Sequence, residues 1–157
     1  MANAISEILH NRILLTGAAA WVISQVIKTI IHLIINHRIV WERLVGDGGM
    51  PSSHSATVCS VAVACGLFCG WGSPEFGVAF FLAVIVMHDA RGVRQETGKQ
   101  AVVINEMIDM MKLFERIPEM ELKEFVGHTP LQVYVGILIG IANAFLGYFW
   151  YFPLMFS

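Results

Sequence analysis

The chain of 157 residues is 56% hydrophobic and only 14% charged, with a mean hydropathy of +0.65, which excludes an average soluble domain and marks a membrane protein. Apolar residues are spread along the whole length, so a single membrane domain over 1–157 is expected rather than a soluble domain on one anchor. A net charge of −2 and a pI near 6.3 give no basic field for nucleic acid.

Residues 1–11 contain Glu7 and lack the basic start of a signal peptide, so the segment is read as retained. The first long apolar run, 13–36, is long enough to cross a bilayer. Within it Gln25, Lys28, Thr29, His32 and Asn36 recur at helical spacing, a polar stripe on an otherwise apolar helix. An ammonium inside a membrane segment costs several kcal/mol unless it faces protein or water, so Lys28 is expected inside the bundle. Snorkelling toward the interface is the alternative.

A polar connection carrying Arg38, Glu42 and Arg43 leads to Gly48-Gly49-Met50-Pro51-Ser52-Ser53-His54-Ser55-Ala56. Glycines such as Gly49 let backbone approach a ligand, Pro51 suits the first helical position, and Ser52 or Ser53 can cap the helix that follows. Amides left unpaired at a helix start favour an anion, phosphate above all. The second helix is expected over 54–71 and is rich in the small residues that let membrane helices approach closely. Its cysteines, Cys59, Cys65 and Cys69, form no metal-ligand pattern and read as small hydrophobes.

After the turn at Gly72-Ser73-Pro74, a third apolar helix is expected over 75–90. His88, Asp89, Arg91, Arg94, Glu96 and Lys99 crowd its end, where desolvation makes unpartnered charge costly. Residues 99–114 mix apolar positions with Glu106, Asp109 and Lys112, the pattern of an amphipathic interfacial helix. The last helix, 129–152, opens at Gly127-His128-Thr129-Pro130-Leu131-Gln132, carries Gly136 and Gly140 at a small-xxx-small spacing, and closes on the aromatic belt Trp150-Tyr151-Phe152.

The expected fold is therefore an all-α integral membrane protein, a bundle of about four transmembrane helices plus one interfacial helix. If each long run crosses once, His54, His128, the end of the third helix and the inner end of the first meet on one face. That face also collects most Lys and Arg, which predicts a cytoplasmic orientation of a multi-pass protein. Two imidazoles, a lysine, two or three arginines and the amides of two helix starts suit a tetrahedral oxyanion. One histidine can attack phosphorus while the other protonates the leaving alcohol, the cations stabilising charge on the remaining oxygens. Imidazoles about 5 to 8 Å apart could span one phosphate, given hydrogen-bond reach on each side.

Pro51-Ser52-Ser53-His54 resembles the Pro-Ser-Gly-His motif of the type 2 phosphatidic acid phosphatase and vanadium haloperoxidase superfamily, and His128-Thr129-Pro130-Leu131-Gln132 resembles its last motif. More closely, Gly-Gly-Met-Pro-Ser-Ser-His-Ser, Asp89-Ala90-Arg91-Gly92-Val93-Arg94, Gly98-Lys99-Gln100-Ala101 and Gly-His-Thr-Pro resemble the divergent phosphatidic acid phosphatase type 2-like family of small integral membrane proteins, over roughly residues 10 to 150. The resemblance implies a cofactor-free and metal-free hydrolase acting on a membrane lipid with a phosphate headgroup, either a phosphomonoester or a diphosphate. It makes His128 the nucleophile, His54 the acid, and Ser52, Ser53 and nearby amides the holders of phosphate oxygens. Lys28 and Arg43 match its first-motif cations, although the spacing departs from that motif. The arginine that should precede His128 is absent, with Glu121 and Leu122 in its place, and Arg94 or Arg91 is the substitute. Gln132 stands where the superfamily has an aspartate; it can fix the histidine tautomer but supplies no charge, and Asp89 is the candidate for the missing carboxylate. A non-catalytic binder of an anionic headgroup and a structural or assembly protein remain the alternatives. The Gly136 and Gly140 face suggests a homo-oligomer under any of them.

Overall fold

A computed structural model of the protein describes residues 2–37, 49–91, 93–112 and 128–155, and every regular element among them is helical. A short helix, α1 (Ala2–Leu9), precedes the first long run; the sequence reading did not anticipate it. The long run itself forms α2 (Arg12–Asn36). Asn11 caps it by accepting from the amides of Ile13 and Leu14 at 3.1 and 3.0 Å, and His37, at φ 50°, ends it by donating its amide to the Leu33 carbonyl. The buried stripe of α2 is Thr16, Gly17, Ala20, Ser24, Gln25 and Lys28, while Trp21, Val22, Val26 and Ile30 face outward. Thr16, Ser24 and Thr29 each return their hydroxyl to the carbonyl one turn back, so these polar groups are satisfied without leaving the helix.

The centre of the molecule is α3 (Ser53–Cys69), which packs on α2, α4 (Pro74–Arg91) and α6 (Pro130–Leu146). It can take that place because its residues are small: Ala56, Cys59, Ser60, Ala62, Ala64, Cys65 and Gly66 are all buried. Against α6 the fit is closest. A Cβ at Gly136 would lie 2.5 Å from the Ser52 carbonyl oxygen, and one at Gly140 would overlap the Ala56 carbonyl. The two glycines therefore serve the packing inside one chain, and they no longer argue for a homo-oligomer. Against α2, a Cβ at Gly17 would lie 2.7 Å from Val61 Cγ2. Against α4, Ala62 and Cys65 meet Ala79 and Ala83, with Cys59 Sγ 3.5 Å from Met87 Sδ.

These pairings fix directions. The helices α2 and α4 run antiparallel to α3, and α6 runs parallel to it, so the start of α3, the start of α6, and the ends of α2 and α4 share one rim. Deeper in the bundle, the Asn143 amide donates to the Thr16 carbonyl and to Ser60 Oγ, both at 2.9 Å, tying α2, α3 and α6 together. Two stretches, Arg12–Ile35 and Pro130–Leu154, are long and apolar enough to cross a membrane by length and composition; α3 is apolar but shorter.

Several boundaries differ from expectation. Gly70, at φ 98°, ends α3 two residues early. The amphipathic segment begins sooner, as α5 (Val93–Lys112), packed on α4, with Gly98, Ala101 and Asn105 buried and Val103, Met107 and Met110 exposed. After Leu146 the last helix widens into a π turn, Gly147–Tyr151, before a final turn, α7 (Phe152–Met155). Arg38, Arg43, Gly48, Arg116, Lys123 and Gly127, and the side chains of Arg91, Arg94 and Lys112, lie outside the described residues.

Candidate active site

The shared rim is built first by its two capped helix starts. Ser52 is the N-cap of α3: its hydroxyl accepts from the Ser55 amide at 3.3 Å and pairs with Ser55 Oγ at 3.1 Å. Pro51 is fully buried, with a cis Met50–Pro51 peptide, and it precedes the cap instead of occupying the first helical position as its motif suggested. The Ser52 amide donates to the Gln132 carbonyl at 3.0 Å, which locks the α3 start onto the first turn of α6. His54 then falls at the second position of α3, partly buried.

His128 stands just before the N-cap of α6 and is 3% exposed. Its amide donates to the Ala90 carbonyl at 3.1 Å, so the end of α4 holds the backbone of the histidine. Its ring is held by Gln132. Gln132 Oε1 accepts from the Thr129 amide at 3.1 Å and lies 3.2 Å from His128 Nδ1. Because a backbone N–H can only donate, the atom facing it must be the carboxamide oxygen; His128 Nδ1 must then carry the proton, and the lone pair sits on Nε2. The Gln132 amide in turn donates to Thr129 Oγ1 at 3.4 Å, completing a capping box.

The imidazoles of His54 and His128, 74 positions apart in sequence numbering, have ring centroids 5.9 Å apart, inclined by 56°. This separation is within the span that one phosphate would bridge. Lys28 reaches the same rim from α2. It is 3% exposed, and its stem lies along the glycine turn: a Cβ at Gly49 would be 3.5 Å from Lys28 Cγ. Gly49 has φ +84°, a conformation that a side chain would strain. Ser52 and Ser53 are buried beside it.

Two expectations need correction. Asp89 does not take the place of the missing carboxylate at His128 Nδ1: Gln132 Oε1 occupies that position, and Asp89 is exposed on α4 while its neighbour Ala90 makes the backbone contact. Nor do the two helix starts offer their amides equally. In α6, Pro130 has no N–H, Gln132 donates to Thr129 Oγ1 and Thr129 donates to Gln132 Oε1. In α3 the first amides, those of Ser53 and His54, have no carbonyl one turn earlier in the helix. Arg43 and the side chains of Arg91 and Arg94 cannot be placed among the described residues. The role of the Ala90 carbonyl had no signal in sequence, since a backbone oxygen is common to every residue. Among the described residues no group of three or more His, Cys, Asp or Glu could hold a metal ion.

Residues 9–143 match the model of the divergent PAP2 family. The chain belongs to that family. It is also 40% identical, over 146 residues, to the uncharacterized membrane protein YuiD of Bacillus subtilis (strain 168), covering 86% of this chain and 92% of the relative. No solved structure matches it. The divergent PAP2 family match spans both histidine motifs, the lysine of α2 and the end of α4, the four segments that meet at the rim.

Proposed function

We propose that this divergent PAP2 protein is a membrane hydrolase that removes phosphate from a lipid phosphomonoester or diphosphate through a phosphohistidine. The observation that carries the reading is the pair of imidazoles 5.9 Å apart, one of them held by Gln132 with its lone pair on Nε2. In the first step His128 Nε2 attacks phosphorus, the P–O bond to the lipid breaks, and His54, protonated, gives its proton to the departing alkoxide. In the second, His54 takes a proton from water, the oxygen attacks phosphorus, the P–N bond breaks and inorganic phosphate leaves. Lys28, the Ser52 and Ser53 hydroxyls and the first amides of α3 stabilise the charge that develops on the non-bridging oxygens. Arg43, Arg91 and Arg94 are the candidates for further cations there. Gln132 orients His128 without offsetting the imidazolium charge, so turnover is slow relative to an enzyme with a carboxylate.

In this reading α3 and α4 cross the membrane along with the two longer helices. The alternating directions of α2, α3, α4 and α6 support it, as does the exposed apolar face of α4, with Val78, Phe81, Leu82 and Ile85 outward. A helix of 17 residues is about 25 Å long against a hydrocarbon core of about 30 Å, so His54 lies near headgroup depth, where a lipid phosphate resides. The charged rim faces the cytoplasm, by the excess of Lys and Arg in its connections. A second reading, a non-catalytic binder of the same anion, is favoured by one observation: the neutral Gln132 at the ring nitrogen of His128.

The deciding experiment measures phosphate release from a lipid phosphomonoester by the purified protein in detergent, with and without vanadate. The hydrolase reading expects vanadate-sensitive release that is lost in both His128→Asn and His54→Asn, and phosphate trapped on protein in the wild type but not in His128→Asn. Saturable binding with no release over hours would leave the binder reading in its place.

A further inference from the structure

One buried polar group at this rim has no part in the chemistry above. Gln25 is 6% exposed, and among the described residues its Oε1 is enclosed and has no hydrogen-bond partner. Its position follows from register. The antiparallel pairing of α2 with α3 sets Gly17 beside Val61 and Lys28 beside Gly49. Gln25, one turn back from Lys28 on the same buried stripe, is therefore level with Ser52 and Ser53, at the start of α3.

An enclosed carboxamide oxygen without a donor is a standing cost to the fold, and only a proton-bearing partner removes it. The nearby groups are poor sources. Ser24 donates to the Ala20 carbonyl and Ser55 Oγ to Ser52 Oγ, while the protons of Ser52, Ser53 and Lys28 are those assigned to the phosphate oxygens above. A phosphate bound at this turn presents two kinds of oxygen. A bare anionic oxygen would repel Gln25 Oε1, because both are acceptors, whereas a P–OH would donate to it. We propose that Gln25 is a specificity-determining residue of the phosphate site: its Oε1 accepts the proton of a singly protonated terminal phosphate and disfavours an ester group at that oxygen.

The inference rests on the phosphate-site reading, and the test separates the two. At pH 5.5, below the second ionisation of phosphate at about 6, a diacylglycerol phosphate and its methyl diester both carry about one negative charge. They differ in the P–OH. Binding of each, and of inorganic phosphate, is measured on the full-length protein in detergent micelles for wild type, Gln25→Met and Gln25→Glu, with thermal unfolding of each variant recorded alongside. The wild type is expected to bind the monoester at least about tenfold more tightly than the diester, since a site built to hydrogen-bond a hydroxyl rejects the analogue lacking it. Gln25→Met, which keeps length but has no carbonyl, should reduce that preference to about threefold or less through weaker monoester binding. Gln25→Glu retains a carbonyl acceptor and should retain the preference.

An unchanged preference in a folded Gln25→Met, or equal binding of the two esters by wild type, would overturn the assignment while leaving the phosphate site intact. Failure of wild type to bind any of the three ligands would overturn the phosphate site and this contact with it. Gln25-dependent binding of the lipid monoester alone supports the contact with a lipid headgroup as ligand. The same dependence for inorganic phosphate supports it with the free anion.

Discussion

The two ends of the bundle are made by the same helices, and each holds a cation, yet they differ in what surrounds it. At the histidine rim Lys28 is buried with its stem along the glycine turn that leads into Ser52 and Ser53. At the opposite rim Arg12 is exposed, its guanidinium 5.8 Å from the centre of the Phe68 ring, with Tyr148 and Phe152 packed on the other sides of that ring. One cation sits where hydrogen-bonding groups converge and the other where π faces do. The first environment can hold an anion and move protons around it; the second suits an interfacial anchor, with aromatic rings and a long side chain spanning the boundary between lipid and water. A cation by itself therefore says little about function; the hydrogen-bonding capacity around it separates the two ends.

The largest expected effect tests this contrast directly. Replacing His128 with asparagine removes the proposed nucleophile and should lower phosphate release by at least about 10³-fold, with the thermal midpoint little changed. Retained turnover would erase the functional difference between the rims. Next in size is Gly140→Val, which forces a side chain into the Ala56 carbonyl and should destabilise the bundle by about 2–3 kcal/mol, read as a lower unfolding midpoint in detergent. Because Gly136 and Gly140 hold α6 on α3, this variant should also separate His54 from His128 and lose activity through the fold. Third, Gln132→Glu keeps the length of the side chain and its contact to the Thr129 amide while adding a negative charge beside His128 Nδ1. An increase in kcat of about tenfold is expected, in the direction of stabilising an imidazolium, and a decrease would mean that the neutral amide is the working state. The smallest effect belongs to the other rim. Arg12→Met should cost about 0.5–1 kcal/mol of stability from the lost stacking on Phe68, with phosphate release within about twofold of wild type.

Much of the site could be read in one dimension because its residues are of types that seldom appear without reason in apolar sequence. His54 and His128 each follow a glycine-containing turn and precede a helix, and Lys28 interrupts an apolar run, so a crossing pattern alone brings all three to one face. Where the reading failed, the cause was competition among groups that sequence cannot rank. Pro51 fits a first helical position and a residue before the cap equally well, and the buried turn selected the latter. Asp89 looked like the carboxylate that His128 needs, but it lies on the exposed side of α4, and Gln132, four residues along the same helical start, reaches Nδ1 first. The glycines of α6 were legible as a packing face, though not the partner they pack on: spacing is the same whether the facing helix is α3 or another copy of the chain.

By itself the sequence determined that the protein is helical and membrane-bound, where its capped turns fall, and which residues could carry phosphate chemistry, because hydropathy, helical period and cap preference act within a few neighbouring residues. Only the tertiary structure decided that α3 runs parallel to α6 and antiparallel to α2, that the imidazoles stand 5.9 Å apart, and that Gln132 holds the proton-bearing nitrogen of His128. Those outcomes depend on contacts between segments tens of residues apart, where a carbonyl against a missing Cβ sets the approach of two helices to within an ångström.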